Sequence, residues 1–247
     1  MNLQPKMVDR LSPIALLLSE SEGRPISFDR VAEAARLATG RPAFVVSRRG
    51  KILGRSERNP FDGPESFDDR TTRQLLEATR PSVLTLADDC GVAALEHGTT
   101  VTVVPVEGSG LRMGSVVLSG KEPLDEAGLA LAELAASVVA MEILRVRASE
   151  SEARARARTS ARVAVESLSY SELEAARAIF DALGGDEGLL VASRIADREG
   201  ITRSVIVNAL RKLESADMIE SRSLGMKGTH IRVRSSALLE ELRKLLP

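Results

Sequence analysis

Arg203, Ser204, Asn208, Arg211 and Lys212 crowd into ten positions of the chain, and their side chains are those that bond base edges and phosphates. A guanidinium fork matches the two acceptors of guanine, a carboxamide matches adenine, and hydroxyl or ammonium groups reach backbone oxygens. Val205, Ala209 and Leu213 recur every four residues between them. The spacing therefore predicts a two-faced helix, polar outward and apolar inward. Such a helix must be held in a groove by other elements. Upstream, a short helix carrying Ile195 and Ala196 meets a turn at Gly200, and Thr202 is placed to cap the next helix through its hydroxyl. Downstream, IESRS, LGMKG and THIRV read as two short strands around a Gly-rich turn with Lys227 at its tip. This is the layout of a winged helix-turn-helix. Its expected DNA-contacting set is Ala192, Ser193, Ala196, Thr202, Arg203, Ser204, Asn208, Arg211, Lys212, Arg222, Lys227 and His230.

Amphipathic helices with polar faces also occur as plain packed helices, so the charge distribution matters. Residues 190–234 hold nine Lys or Arg against five Asp or Glu, whereas the whole chain sits at −1. Positive charge concentrated on one module fits a regulator that binds double-stranded operator DNA better than a nonspecific packager. Aromatic residues make up only 2% of the chain, with no Trp, which argues against recognition of single strands by base stacking.

The 247 residues, 43% of them hydrophobic, suffice for two modest cores. Helical patterns near 6–20, 27–39 and 66–79 alternate with strands at AFVVS, KILGR, TVTVVPV and MGSVVLS, with Gly108 and Gly110 marking a hairpin turn between the last two. An α+β domain with a mainly antiparallel sheet is expected over 1–122. A long linker helix is expected over 123–165, with neither Pro nor Gly after Gly128. Its first half, LALAELAASVVAMEIL, is apolar on most sides and is expected to pack on the sensor domain or on a partner subunit. In its charged second half Arg154, Arg156 and Arg158 could touch nucleic acid, a solvated face being the ordinary alternative. The DNA-binding domain is expected over 166–247, opening with capping-box spacing at Ser169 and Glu172.

The single Cys90 excludes an internal disulfide. No apolar run is read as a bilayer span, and Asp9, Arg10 and Pro13 break the pattern of a cleaved signal, so no membrane partner and a cytoplasmic location are expected. Enzyme readings find little. Gly50-Lys51 and Gly120-Lys121 lack the upstream Gly and the following hydroxyl of a phosphate-binding loop, His97 and His230 fall in no metal pattern, and the pairs Asp68-Asp69 and Asp88-Asp89 read as caps and loop solvation. No catalytic residue, metal site or cofactor is expected. A guanine-nucleotide-hydrolysing enzyme and a purely structural interaction protein remain the readings from other classes.

SLSYSELEA, GDEGLLVASRIADREGITRSVIVNALRKLES and IESRSLGMKGTHI closely resemble the C-terminal region of the CodY family, GTP-sensing global transcriptional repressors; FVVSRRGK and VVAMEILR resemble the same family. The resemblance implies a GAF-like sensor domain joined by a long helix to a winged helix-turn-helix, acting as a homodimer or a higher oligomer. It implies GTP as one effector, at positions matched here by Ser47, Arg48, Arg49, Lys51, Glu142 and Arg147, the last replacing the family's usual Lys. Two guanidinium groups and an ammonium on an Arg-Arg-Gly-Lys turn could neutralise a triphosphate, and Glu142 could accept bonds from a guanine edge. A solvated basic turn is the plain alternative.

Branched-chain amino acids (isoleucine, leucine, valine) are the second effector that the resemblance implies, with Arg70 as the carboxylate clamp. Thr71 and Gln74 stand where the family has Met, and LTLADDCGVAALEHG lacks the family's aromatic and Pro-Val elements. An aliphatic side chain would lose much of its apolar lining, so isoleucine is expected to bind more weakly than in typical relatives or not at all, leaving GTP or another small ligand as the principal signal.

Overall fold

The Val-rich runs of the first half form a sheet covered on both faces, because each strand sends alternate residues to opposite sides and both sets are apolar. The computed structural model describes residues 7–21, 23–56, 66–86, 90–92 and 99–245. Its first elements are α1 (Met7–Ser19), α2 (Phe28–Thr39), β1 (Ala43–Ser47), β2 (Ile52–Arg55), α3 (Asp69–Glu77), β3 (Ser82–Thr85), β4 (Thr100–Gly108), β5 (Leu111–Ser119) and α4 (Glu126–Glu166). The chain continues through α5 (Tyr170–Leu183), β6 (Glu187–Leu190), α6 (Ala192–Glu199), α7 (Arg203–Ser215), β7 (Ile219–Ser223), β8 (Thr229–Val233) and α8 (Ser236–Leu245).

Two units divide the chain, residues 1–148 and 149–247, and α4 contributes to both. In the first, the antiparallel sheet runs β2-β1-β5-β4-β3. Val45, Val104, Val116 and Leu118 point to one face, where Val31 and Ala35 of α2 and Leu131, Ala135 and Val139 of α4 cover them. Phe44, Val46, Val101, Val103 and Val117 point to the other, under Leu75 of α3 and Phe67. The β4–β5 hairpin turns at Ser109 and Gly110, both left-handed, while Gly108 still pairs with Leu111 and so belongs to β4 rather than to the expected turn. Four-residue β3 on the sheet edge lies outside the expected strands; its only large hydrophobics, Val83 and Leu84, give too short a pattern to stand out.

By length and composition α4 is apolar enough to cross a membrane, with an 18-residue window of mean hydropathy 1.8, contrary to the expectation that no such run exists. Half of that window is buried inside the protein. The charged second half of α4 pairs Arg154 with Glu150 and Arg156 with Glu152 one turn apart, and Arg158 with Glu240 of α8. Those three cations thus have carboxylate neighbours within their own unit.

The second unit packs α5, α6, α7 and α8 around Ile179, Ile195, Ile206, Leu213, Ile231 and Leu238. A three-stranded sheet, β6-β8-β7, closes one side, and β6 was not foreseen from sequence. The α5 start carries the full capping box: Ser169 Oγ accepts the Glu172 N–H at 3.3 Å, and Glu172 accepts the Ser169 N–H at 2.8 Å. C-terminal α8, also not anticipated, buries Ala237, Leu238 and Leu242 in the same core.

Candidate nucleic-acid interface and effector cleft

Helix α7 buries Ile206, Ala209, Leu210 and Leu213, the i, i+3, i+4, i+7 set of a 3.6-residue period. Val205, expected inside with Ala209 and Leu213, is only partly covered, because strict four-residue steps drift off the buried stripe. Arg203, Ser204, Asn208, Arg211 and Lys212 are all exposed. The turn before α7 depends on Gly200, left-handed at φ 68°, whose N–H caps α6 by bonding the Ala196 carbonyl.

Thr202 occupies the N-cap position of α7, yet its hydroxyl makes no capping bond. Its carbonyl accepts from Val205 and Ile206 instead. The first N–H groups of α7, beside Arg203, are therefore not satisfied by a cap side chain, an arrangement that suits a phosphate oxygen. Side-chain partners and burial change two further expectations. The Lys212 ammonium bonds Glu172 at 2.6 Å and the Ser167 carbonyl at 3.1 Å, tying α7 to the start of α5 rather than reaching outward. Glu172 is held below the usual carboxylate range chiefly by that ammonium and then by the Ser169 N–H. Ala196 is buried in the core and presents no surface to a groove. Ala192 is half-buried beside the exposed Ser193 at the start of α6.

The wing is a two-strand ribbon in which Arg222 of β7 stands in register opposite His230 of β8. Arg222 is exposed and His230 half-buried. Between the strands a single 3-10 turn, Gly225–Lys227, leaves Lys227 exposed. Arg234 pairs with Asp217 and Arg232 lies near Glu187, so the cations of this ribbon without a carboxylate among the described residues are Arg222 and Lys227.

In the first unit, the β1–β2 turn is built by Ser47, whose Oγ accepts the N–H groups of Arg49 and Lys51 at 3.3 and 3.1 Å. Gly50 is required there: it sits at φ 77°, and a Cβ would lie 2.1 Å from Thr72 Oγ1. The turn throws Arg48 and Arg49 outward, with no ion pair among the described residues. Together with Ser47, Leu53, Met113, Ile143 and Arg147 they line an open cleft of about 530 Å³. Three guanidinium groups facing an apolar wall can hold a polyanion with a flat apolar part.

Glu142 and Lys51 do not line that cleft. Glu142 is 2% exposed, and its carboxylate accepts the Ile26 N–H at 3.2 Å with Arg145 Nε 3.8 Å away. It anchors the segment before α2 to α4, where the sequence reading expected it to face a guanine edge. On α3, Asp68 caps the helix by accepting from the Arg70 and Thr71 N–H groups, and Thr71 Oγ1 donates to Asp68 Oδ2 at 2.7 Å. Those bonds, the Thr71 N–H foremost, lower the Asp68 pKa. Thr71 is thus buried and engaged, whereas Arg70 is exposed and Gln74 half-buried. Most of the loop expected to thin the amino-acid pocket, 87–89 and 93–98 with His97, lies outside the described residues.

The family of CodY GAF-like domains matches residues 6–167, and that of CodY helix-turn-helix domains matches residues 186–245. The global transcriptional regulator CodY of Bacillus licheniformis is 44% identical over 97% of this chain and 98% of its own. That of Bacillus mycoides is 46% identical over 93% of this chain and 94% of its own. Among solved structures, the cofactor-binding GAF domain of the nutrient sensor CodY from Clostridium difficile is 28% identical, covering 57% of this chain and 99% of that one at a TM-score of 0.40. With both halves matched and full-length relatives aligned end to end, the chain belongs to the CodY family of global transcriptional regulators, DNA-binding proteins with a helix-turn-helix domain and a GAF-like ligand-binding domain, and not to a family of enzymes.

Proposed function

We propose that the cleft at the β1–β2 turn binds GTP without cleaving it, and that occupancy sets the affinity of a cytoplasmic homodimer for its operators, mainly in repression. The observation that carries this reading is the convergence of Arg48, Arg49 and Arg147 on one apolar-walled cleft. Charge-assisted bonds from guanidinium forks suit phosphate oxygens, and Leu53, Met113 and Ile143 give a base a surface to lie on. The coupling is a population shift: nucleotide raises DNA affinity only by the difference in its own affinity for the two conformers. Calorimetry with GTP and GDP on the wild type and on Arg48→Ala/Arg49→Ala tests it. Binding lost in the double variant is expected; equal affinity excludes this cleft, and steady phosphate release from GTP overturns the sensor reading.

A second reading concerns the other effector. Thr71, whose hydroxyl is engaged by Asp68, and Gln74 make the start of α3 polar where an aliphatic side chain would need apolar lining. Isoleucine is therefore expected to bind about 10- to 100-fold more weakly than to relatives with Met there, with Arg70 as the carboxylate partner and a different small ligand taking the pocket in its place. A micromolar dissociation constant for isoleucine, lost in Arg70→Ala, would restore two-effector sensing.

A further inference from the structure

Within the second unit, Arg177, Phe180 and Asp181 share one side of α5 and Leu239, Leu242 and Arg243 one side of α8, each set at the i, i+3, i+4 spacing of a helix face. With Gly185 and Asp186, just past the end of α5, they line an open cleft of about 540 Å³. Its floor is apolar: Leu242 is buried, and Phe180 and Leu239 are half-buried. Its rim carries charges of both signs. Arg177 and Asp181 lie 3.6 Å apart and offset each other. Asp186 and Arg243 are exposed, and neither side chain has an ion pair or hydrogen bond among the described residues. The Asp186 backbone is nevertheless fixed, since its carbonyl accepts the Val233 N–H at 2.7 Å.

We propose that this cleft binds a small zwitterion with an apolar body, a free apolar amino acid or a dipeptide of such residues. The ligand carboxylate meets the Arg243 guanidinium, its ammonium meets Asp186, and its side chain lies on Phe180, Leu239 and Leu242. The end of α5 reinforces that polarity. Partial negative charge at a helix C-terminus favours the ammonium beside Gly184 and Asp186. A purely apolar ligand would use neither free charge, and a polyanion would face Asp181 and Asp186 as well as the two arginines. Neither Arg70 nor the anion cleft of the first unit takes part. Helix α5 also carries Glu172, which holds Lys212 of α7, so an occupant of the cleft bears on the helix that seats α7.

Calorimetry with leucine and with leucyl-leucine tests the cleft, using the full-length chain with Arg70→Ala so that an amino-acid site in the first unit is silent. At least one of the two should bind, and the tighter one gives the size of the natural ligand. Its acetylated form lacks the ammonium and its amidated form the carboxylate, so each should bind about tenfold more weakly or worse. Asp186→Asn should abolish the penalty for acetylation, and Arg243→Gln the penalty for amidation. Gly185→Trp should block binding altogether: Gly185 is not left-handed, and a Cβ there meets nothing within 4 Å, so the backbone accepts the larger residue as it stands. Operator binding, retained in all three variants, reports that the second unit is folded. The proposal is overturned if neither compound binds, if the acetylated and amidated forms bind as well as the parent compound, or if the folded Gly185→Trp protein binds undiminished.

Discussion

The proposed reading surface of the second unit and the proposed anion cleft of the first are assembled on opposite plans. Arg203, Ser204, Asn208 and Arg211 all come from one helix, and the contacts that orient it, Gly200 at its entry and Ile206 to Leu213 beneath it, lie within about a dozen residues. The cleft instead draws Ser47 to Arg49 from one turn, Met113 from β5 and Arg147 from α4, a hundred residues apart at the extremes. A site on one helix stands or falls with the packing of that helix. A distributed site depends on the whole sheet and helix that bring its parts together.

The strongest way to break the contrast is through the core under α7. Leu213 is fully buried, and Leu213→Ala should cost about 2–5 kcal/mol, loosening the second unit and abolishing operator binding. Nucleotide binding in the first unit should survive. Thermal denaturation with calorimetric GTP titration reads both; loss of nucleotide binding along with DNA binding would show that the two units do not unfold separately.

Arg203→Ala probes the surface without touching the core. With Arg203 exposed and free of any ion pair among the described residues, the fold should be unchanged while operator discrimination falls by about 1–3 kcal/mol. Competition of operator against random duplex measures it. Undiminished discrimination would mean that α7 is not the reading helix.

The same local-against-distributed contrast governs what could be read from sequence. The Ser169–Glu172 capping box was legible because both partners sit three residues apart, and the wing ribbon because its strands flank a glycine turn. The partner of Glu142 was not legible, because the Ile26 N–H lies 116 residues away and nothing near Glu142 announces it. The Lys212 pairing was hidden for a related reason. Lys212 shares the polar side of α7 with Arg211, and only the tertiary approach of α5 turns its ammonium to Glu172. Periodicity reveals which side a residue is on, not which neighbour it meets there.

Those two lysines give the next, smaller effect. Lys227, exposed at the wing tip, should contribute about one phosphate contact, so Lys227→Ala lowers the salt slope of DNA binding by about 1 and weakens all sequences alike. Lys212→Met should leave that slope unchanged and instead lower the stability of the second unit by about 1 kcal/mol, since Glu172 loses its cation. A slope that falls equally in both variants would return Lys212 to the DNA surface.

The smallest effect belongs to the first unit and is electrostatic. Arg10 of α1 grips Asp125, just ahead of α4, with Nη1 at 2.8 Å and Nη2 at 3.1 Å, and the Gly128 N–H adds a bond at 2.8 Å. Arg10 first and Gly128 second hold the Asp125 carboxyl at about 2, down from 3.8. Because the folded pKa is depressed, the stability it brings is fully present above 3.8 and is lost as pH falls through about 2. The Asp125 side chain is 62% exposed, so solvent screening limits the contribution to under about 1 kcal/mol rather than the full linkage value. Asp125→Asn should therefore unfold slightly more easily than the parent at about pH 5, with the gap closing towards about pH 2 and shrinking in high salt. Far-ultraviolet dichroism during denaturant unfolding at each pH follows it, and a gap that stays constant down to the acid limit would assign the effect to the cap's hydrogen bond alone, leaving the α1–α4 contact with no contribution from charge.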